Sequence, residues 1–454
     1  MIFDGTGTGH QPVLAQQEWK GGGTIHRRIA AQKYLLALIF FALLFAIQSA
    51  MVEWSTSYLI QLFLLNSFLL LGIYAFRGFD TLNTQSLNSC LVSYLFGCGL
   101  AMLFALVPIL FFSDKIPRNT FIITGVFSVV VLPLLGWFFM NQVMKRLPPK
   151  KYLVIGKQEE LSSIIEEVKK ATMGKIEIYD YLNPSAIALE GLLAGEKPFD
   201  SILIGNPSLT KSIEPLLQRA QNDSIPVEYL PRLVESTIKR VPLELIHLYK
   251  EYYEVSFSEV RFSYIKRVVD LVIAVAALIV LSPLFLVVSI LILIEDGRPA
   301  IFKQKRHGMN GNTFIMHKFR SMKKNAEVNG ARYATEQKDV VTKVGRFIRS
   351  ARIDETPQFF DILRGTMSFI GPRPEQPCFA KELSDQIPYY DLRHRLKPGI
   401  TGWAQTNFRY AATVEEQTKK LSYDLYYVKN CSIMLDIQII LRTVETVLFR
   451  KGAK

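Results

Sequence analysis

Two adjacent carboxylates, Asp354 and Glu355, lie in the stretch RSARIDETPQFFDILRGTMSFIGPRP at 349–374, and Arg373 stands between two prolines near its end. A carboxylate can attack phosphorus and form an acyl phosphate. An arginine whose backbone is fixed on both sides can grip a phosphate through two parallel N–H bonds. An anionic nucleophile beside a fixed phosphate clamp points to phosphoryl transfer. More cations gather around the pair: Lys318 and Arg320 in MHKFRSM, and Arg349 five residues before Asp354. They are candidate phosphate contacts. Mg2+ relieves the repulsion between two neighbouring carboxylates while bridging to diphosphate oxygens, which makes Glu355 a candidate ligand for Mg2+ or Mn2+.

Plainer readings stand beside these. Asp354 occupies the position of a helix N-cap, with Pro357 in the first turn and Gly365 closing the helix. Capping alone accounts for an acidic pair there, and the helix N-terminus would keep Asp354 ionised. A rigid turn with a salt-bridged arginine accounts for Gly371-Pro372-Arg373-Pro374.

The elements that position these residues begin with an apolar segment at 266–294. It is long enough to span a bilayer, but Ser282-Pro283 interrupts it near the middle. Proline removes one backbone hydrogen bond, and Ser282 can take the carbonyl so freed. Both flanks are basic: Arg261, Lys266 and Arg267 before, Arg298, Lys303, Lys305 and Arg306 after. A kinked, re-entrant helix that enters and leaves by one face satisfies both flanks.

Four more apolar runs, at 34–50, 58–76, 90–112 and 120–140, are each about as long as a ~20-residue membrane crossing. Arg27, Arg28 and Lys33 precede the first, and Lys145, Arg146, Lys150 and Lys151 follow the fourth. The positive-inside rule places the N-terminus and everything after Lys145 in the cytoplasm. Residues 1–33 read as a flexible polar tail, too long and too polar to be a cleaved signal peptide. Residues 150–250 alternate strand and helix patterns, the mark of a small parallel α/β domain. Only Gly156 follows its first strand, so a dinucleotide fingerprint is missing and a structural or dimerising role is favoured.

The chain carries a formal net charge of +13, 49% hydrophobic residues and a mean hydropathy of +0.19. That balance suits an anionic bilayer surface and phosphate-bearing substrates. No base-reading motif accompanies the charge, which argues against nucleic acid. Cys90, Cys98, Cys378 and Cys431 form no CxxC pair, so neither a zinc site nor a disulfide frame is expected, and Cys378 and Cys431 read as buried hydrophobes. In PGITGWAQ at 398–405, Trp403 suits either a membrane interface or a packed core. Tyr423, Asp424, Tyr426 and Tyr427 share a helix, and an amphipathic, interfacial helix follows.

Taken together, the apolar helix with Ser282-Pro283, MHKFRSM, IDETPQ, MSFIGPRP and KPGITGWAQ resemble the polyprenyl-phosphate phosphoglycosyltransferases of bacterial polysaccharide assembly, the monotopic superfamily. The matching elements cover about 262–450 in consistent order. The upstream half is similar to the large exopolysaccharide-type subgroup. The resemblance implies a four-helix transmembrane region (34–141), a Rossmann-like domain (150–250) and an α-rich catalytic domain (260–454) on the cytoplasmic face of the bacterial inner membrane. It implies transfer of a sugar 1-phosphate from a nucleoside diphosphate sugar, such as a UDP-sugar, to undecaprenyl phosphate among the bilayer lipids, in a homodimer. It makes Asp354 the nucleophile and Glu355 the metal-holding residue. Arg349, Arg373 and Lys318 then become phosphate contacts. Thr366 departs from the family's pattern, where an aspartate is common. Two alternatives remain: a glycosyltransferase that releases a nucleoside diphosphate, and a catalytically inactive membrane scaffold or sensor.

Overall fold

A computed structural model describes residues 25–80, 86–183, 185–195, 197–258, 263–323, 340–408, 411 and 413–448. The expected tail lies outside them up to residue 24, as does Arg261.

The four N-terminal apolar runs form helices α1 (Ile25–Ser49), α2 (Thr56–Ala75), α3 (Leu87–Ile109) and α4 (Arg118–Arg146), each long and apolar enough to cross a membrane. Large apolar side chains such as Leu38, Phe63, Leu103 and Phe138 stay exposed. Between the helices lies an apolar core, Leu36, Phe40, Leu65, Leu69 and Tyr94 among it, with a few small and polar residues set into it. A Cβ on Gly72 would come 2.2 Å from the Gly97 carbonyl, so only glycine lets α2 and α3 approach this closely. Gln48 and Asn66 exchange two hydrogen bonds of 2.9 Å, and Gln48 also donates to Thr124 Oγ1 at 3.1 Å. Polar side chains paired with one another inside, and apolar side chains facing outward, suit a lipid surrounding.

The α/β unit, 148–238 with 244–259, is built on four parallel strands: β1 (Lys150–Ile155), β2 (Ile176–Leu182), β3 (Ser201–Ile204) and β4 (Val227–Tyr229). Their spatial order is β2-β1-β3-β4. Helices cover the sheet, so Leu153, Val154, Ile202 and Leu203 are all fully buried and the strands read as continuous apolar runs. Of the acids in these strands, Glu228 is the buried one. Glu228 of β4 accepts bonds from Lys150, from Tyr152 Oη at 3.2 Å and from Ser201 Oγ at 3.2 Å.

The second unit comprises 30–147, 239–243 and 260–454. Here the segment with Ser282-Pro283 near its middle forms one 33-residue helix, Tyr264–Asp296, with Pro283 inside it. The reason is local: Ser282 Oγ donates to Ile279 O at 2.8 Å, the carbonyl that Pro283 leaves without its usual donor. Both ends of this helix are fastened to the same folded body. At the N-terminal end Arg267 donates to Ile362 O and Leu363 O (2.7 and 3.0 Å), and Asp270 accepts from Phe369 N at 2.9 Å. At the C-terminal end Glu295 accepts from the backbones of Lys343 and Val344 at 2.6 and 2.9 Å. Between Ala274 and Val288 no helix residue is buried.

An antiparallel hairpin, Ile301–His307 with Thr313–Phe319, packs on this helix, and a short parallel pair, Ser368–Ile370 with Gly399–Thr401, lies beyond it. A Cβ on Gly371 would lie 2.2 Å from Lys397 O, so the turn into Pro372 needs glycine there. Trp403 is core, 2% exposed, with its indole N–H on Lys239 O at 2.9 Å. Cys378 is exposed rather than buried, and Cys431 is half-buried. The last helix, Ile433–Leu448, carries Arg442, which donates to Ala75 O at 3.1 Å and to Asn407 Oδ1 at 2.9 Å and so ties α2 to the C-terminal domain.

Candidate active site

Asp354 is not a helix N-cap. It sits in a single 3-10 turn, Ile353–Glu355, and the helix proper begins afterwards, at Gln358–Arg364, with Pro357 itself in the cap position. Arg352 in the left-handed region (φ 58°) swings the chain into this turn. Gly365 closes the helix with φ 85°, as expected.

The turn buries Glu355 and leaves Asp354 half-buried beside it. Arg373 Nη2 donates to Glu355 Oε1 at 2.6 Å, and Lys318 Nζ and Arg352 Nη1 each stand 3.7 Å from the same oxygen. Burial opposes the charge on Glu355, but these three cations prevail and hold its carboxyl well below the usual range. Asp354 behaves the other way. Burial and the neighbouring Glu355 charge push it up to about 6, against the pull of Lys318, Arg352 and Arg349. The helix N-terminus expected to keep it ionised starts too late to do so. Lys318 is pushed down to about 8, by burial first and then by Arg373 and Arg306.

The structure therefore brings together Asp354, Glu355, Lys318, Arg349 and Arg373. Arg320 is not among them. The strand ends at Phe319, and Arg320 turns to the end of the apolar helix, where it donates to Asp296 O and Gly297 O at 2.9 and 2.6 Å.

Several contributors carry no sequence signal of their own. Asp361, fully buried, accepts from His317 N at 2.9 Å and pairs with its Nδ1 at 2.7 Å, which pins the strand residue next to Lys318. Arg393 donates to Arg373 O (2.9 Å), Asp424 (2.8 Å) and Tyr390 Oη (2.7 Å), so a buried network braces the Gly-Pro-Arg-Pro turn. Gln358 is 2% exposed with its side-chain nitrogen unpaired among the described residues, and it lines a small cavity with Lys318, Arg373 and Arg306. His317 lies 44 positions from Asp361, and Arg373 and Asp424 lie 20 and 31 from Arg393, so only the fold discloses these pairings.

Among the described residues no group of three or more His, Cys, Asp or Glu side chains could hold a metal ion. The adjacent pair still fits Mg2+ in its usual nucleotide mode, with one or two carboxylates and the remaining oxygens from a diphosphate.

Residues 261–450 match the family model described as "Bacterial sugar transferase". The UDP-N-acetylgalactosamine-undecaprenyl-phosphate N-acetylgalactosaminephosphotransferase of Aeromonas hydrophila is 38% identical over 262 residues, 57% of this chain and 62% of that protein. The UDP-glucose:undecaprenyl-phosphate glucose-1-phosphate transferase of Escherichia coli K12 is 38% identical over 191 residues, 42% of this chain and 41% of that protein. A putative undecaprenyl-phosphate N-acetylgalactosaminyl 1-phosphate transferase of Bacillus subtilis is 45% identical over 141 residues, 31% of this chain and 79% of that protein. The match falls on the domain that holds the carboxylate pair and its cations, and on that ground the chain belongs to the bacterial sugar transferase family.

Proposed function

We propose that this protein transfers a sugar 1-phosphate from a UDP-sugar to undecaprenyl phosphate through an aspartyl phosphosugar at Asp354, and so initiates an exopolysaccharide or related glycan. One observation carries this reading: Arg373 grips the buried Glu355 at 2.6 Å, while Asp354 stands half-buried beside it with a carboxyl that burial and the Glu355 charge raise to about 6. At neutral pH that group is mostly ionised and far more basic than an ordinary aspartate, which suits a nucleophile.

An Asp354 oxygen bonds to the phosphorus that bears the sugar. The bridging P–O bond breaks, and its electron pair leaves with UMP. Lys318, Arg349, Arg352 and Arg373 offset the charge on the diphosphate, and Gln358 adds a neutral donor. Undecaprenyl phosphate then bonds through a phosphate oxygen to the same phosphorus. The acyl–phosphate bond breaks and Asp354 returns as a carboxylate. Mg2+ or Mn2+, held by Glu355 and the diphosphate, would supply further positive charge.

The membrane placement belongs to the same proposal. Four helices cross the bacterial inner membrane, and the C-terminal domain faces the cytoplasm. A straight 33-residue helix would be about 50 Å long. Helix Tyr264–Asp296 instead has both ends bonded to one folded body and an uncovered middle, which supports a re-entrant path. The α/β unit serves as a homodimer contact.

The test is the nucleotide released when full-length protein in membranes receives a panel of UDP-sugars and undecaprenyl phosphate. UMP together with a lipid-linked diphosphate sugar is expected. UDP release would mean sugar transfer without phosphate and would end this reading.

A further inference from the structure

A cavity of about 450 Å3 lies where the N-terminal helices meet the C-terminal domain, well apart in sequence from the carboxylate pair and its cations. Its polar wall is Arg77, Asn88, Ser89, Asn407 and Arg442. Its apolar wall is Phe76, Val92 and Phe96. Val92 and Phe96 are one turn apart on α3, so the apolar wall runs from the cavity along a helix that carries further exposed apolar side chains, Leu95 and Leu103 among them.

Charge and rigidity both mark the place. Arg77 and Arg442 both donate to Asn407 Oδ1, and both guanidinium groups lie over the Trp403 ring, at 5.8 and 5.0 Å from its centre. Lys33 stands close by, bound to Asp80 at 3.0 Å, and Asp80 lies 3.7 Å from Arg77. Among the described residues three cations, Lys33, Arg77 and Arg442, act on the one carboxylate of Asp80. The cavity sits at the end of α2 and the start of α3, the same end of the bundle as the start of α1 and the end of α4. For helices that cross a bilayer, this is headgroup depth.

We infer that this cavity binds the phosphate headgroup of a membrane lipid, with Arg77 and Arg442 on the phosphate, Asn88 and Ser89 as neutral donors, and the chain lying along Val92 and Phe96. Guanidinium groups already ordered by Trp403 and Asn407 lose little freedom on meeting a phosphate, and the apolar wall gives an advantage only to a ligand with a tail. The inference stands apart from the proposed reaction, because it concerns binding at another site and is read without turnover.

The experiment uses the full chain purified in detergent, with bound lipid counted by native mass spectrometry during titration. The probes are phosphatidylglycerol, undecaprenyl phosphate, phosphatidylcholine and inorganic phosphate. Two variants are compared with the parent. Arg77→Gln removes one cation, and Ser89→Phe fills the cavity from an exposed position without touching the bundle core. The expected result is a lipid phosphate that the parent retains over phosphatidylcholine and that both variants bind about tenfold more weakly. Preference for phosphatidylglycerol or for undecaprenyl phosphate identifies the source of the headgroup. Equal retention by parent and Ser89→Phe overturns the site, and so does competition by inorganic phosphate at the same concentration as the lipid. A folded Ser89→Phe protein, checked by its unfolding temperature, keeps the test valid should Arg77→Gln not fold.

Discussion

Two buried glutamates, one in each unit, show how similar ingredients serve different ends. Glu228 in the α/β sheet is matched: one ammonium, Lys150, and two hydroxyls from Tyr152 and Ser201. Nothing is left over for a ligand, and the cluster ties β1, β3 and β4 together. Glu355 is over-matched. It and Asp354 face Lys318, Arg349, Arg352 and Arg373, so two acids meet four cations. A balanced buried pair fixes a fold, whereas an unbalanced one at a half-open turn awaits an anion.

The sharpest test of that contrast removes the nucleophile. Asp354→Asn is expected to lower UMP release by about 10^4-fold or more while leaving the protein folded. A turnover close to that of the parent would sink covalent catalysis at this residue. Removing the charge in the other cluster should do the reverse. Glu228→Gln strands the Lys150 ammonium, 7% exposed, and should destabilise the α/β unit by about 3–5 kcal/mol, with turnover per folded molecule kept. A loss of turnover without loss of stability would give Glu228 a functional role and dissolve the comparison. Arg373→Ala is expected to cost about 10^2–10^3-fold in turnover, the usual effect of losing one preorganised donor to a developing charge. Arg373→Lys should restore little of it, because the fork geometry is absent. Full rescue by lysine would reduce Arg373 to a point charge.

The site was legible where its charges cluster along the chain. Asp354, Glu355, Arg349 and Arg373 all fall within one 26-residue stretch, and chemistry alone singles them out. Arg320 shows the limit. Alternation along a strand puts Lys318 and Arg320 on one face, but the strand stops at Phe319, so the rule lapses one residue too early. Arg352 carries no signal of its own, because a left-handed residue leaves no mark in the sequence. His317 and Asp361 are 44 positions apart, and Arg393 and Asp424 are 31 apart, separations that spacing rules do not bridge. The buried parallel strands were plain, since burial on both faces leaves continuous apolar sequence, and so were the long helices, whose outward side chains are apolar as well. The repair at Pro283 was legible too, since a serine next to a proline can take the carbonyl it frees, and Ser282 does so at Ile279 O.

The smallest effect discriminates between the two acids of the pair. Asp354 has its carboxyl raised from 3.8 to about 6, so the folded protein holds a proton that the unfolded chain has released. Stability from this group is fully present below the unfolded value and is lost as pH rises through about 6, a change of about 1–3 kcal/mol. Glu355 is depressed instead, so its contribution is present above the unfolded value of 4.5 and is lost as pH falls below that. Two neutral substitutions should therefore have opposite signs. At pH 8 Asp354→Asn should be more stable than the parent by about 1–3 kcal/mol, with the gain fading toward pH 4. Glu355→Gln should be less stable at pH 8, because Arg373 loses its partner, and that deficit should shrink in acid. Chemical unfolding of full-length protein in detergent at several pH values between 4 and 8 reads both curves. If both variants lost stability equally at pH 8, the charge would be shared evenly between the two acids, and Asp354 would have no claim to be the more basic of the pair.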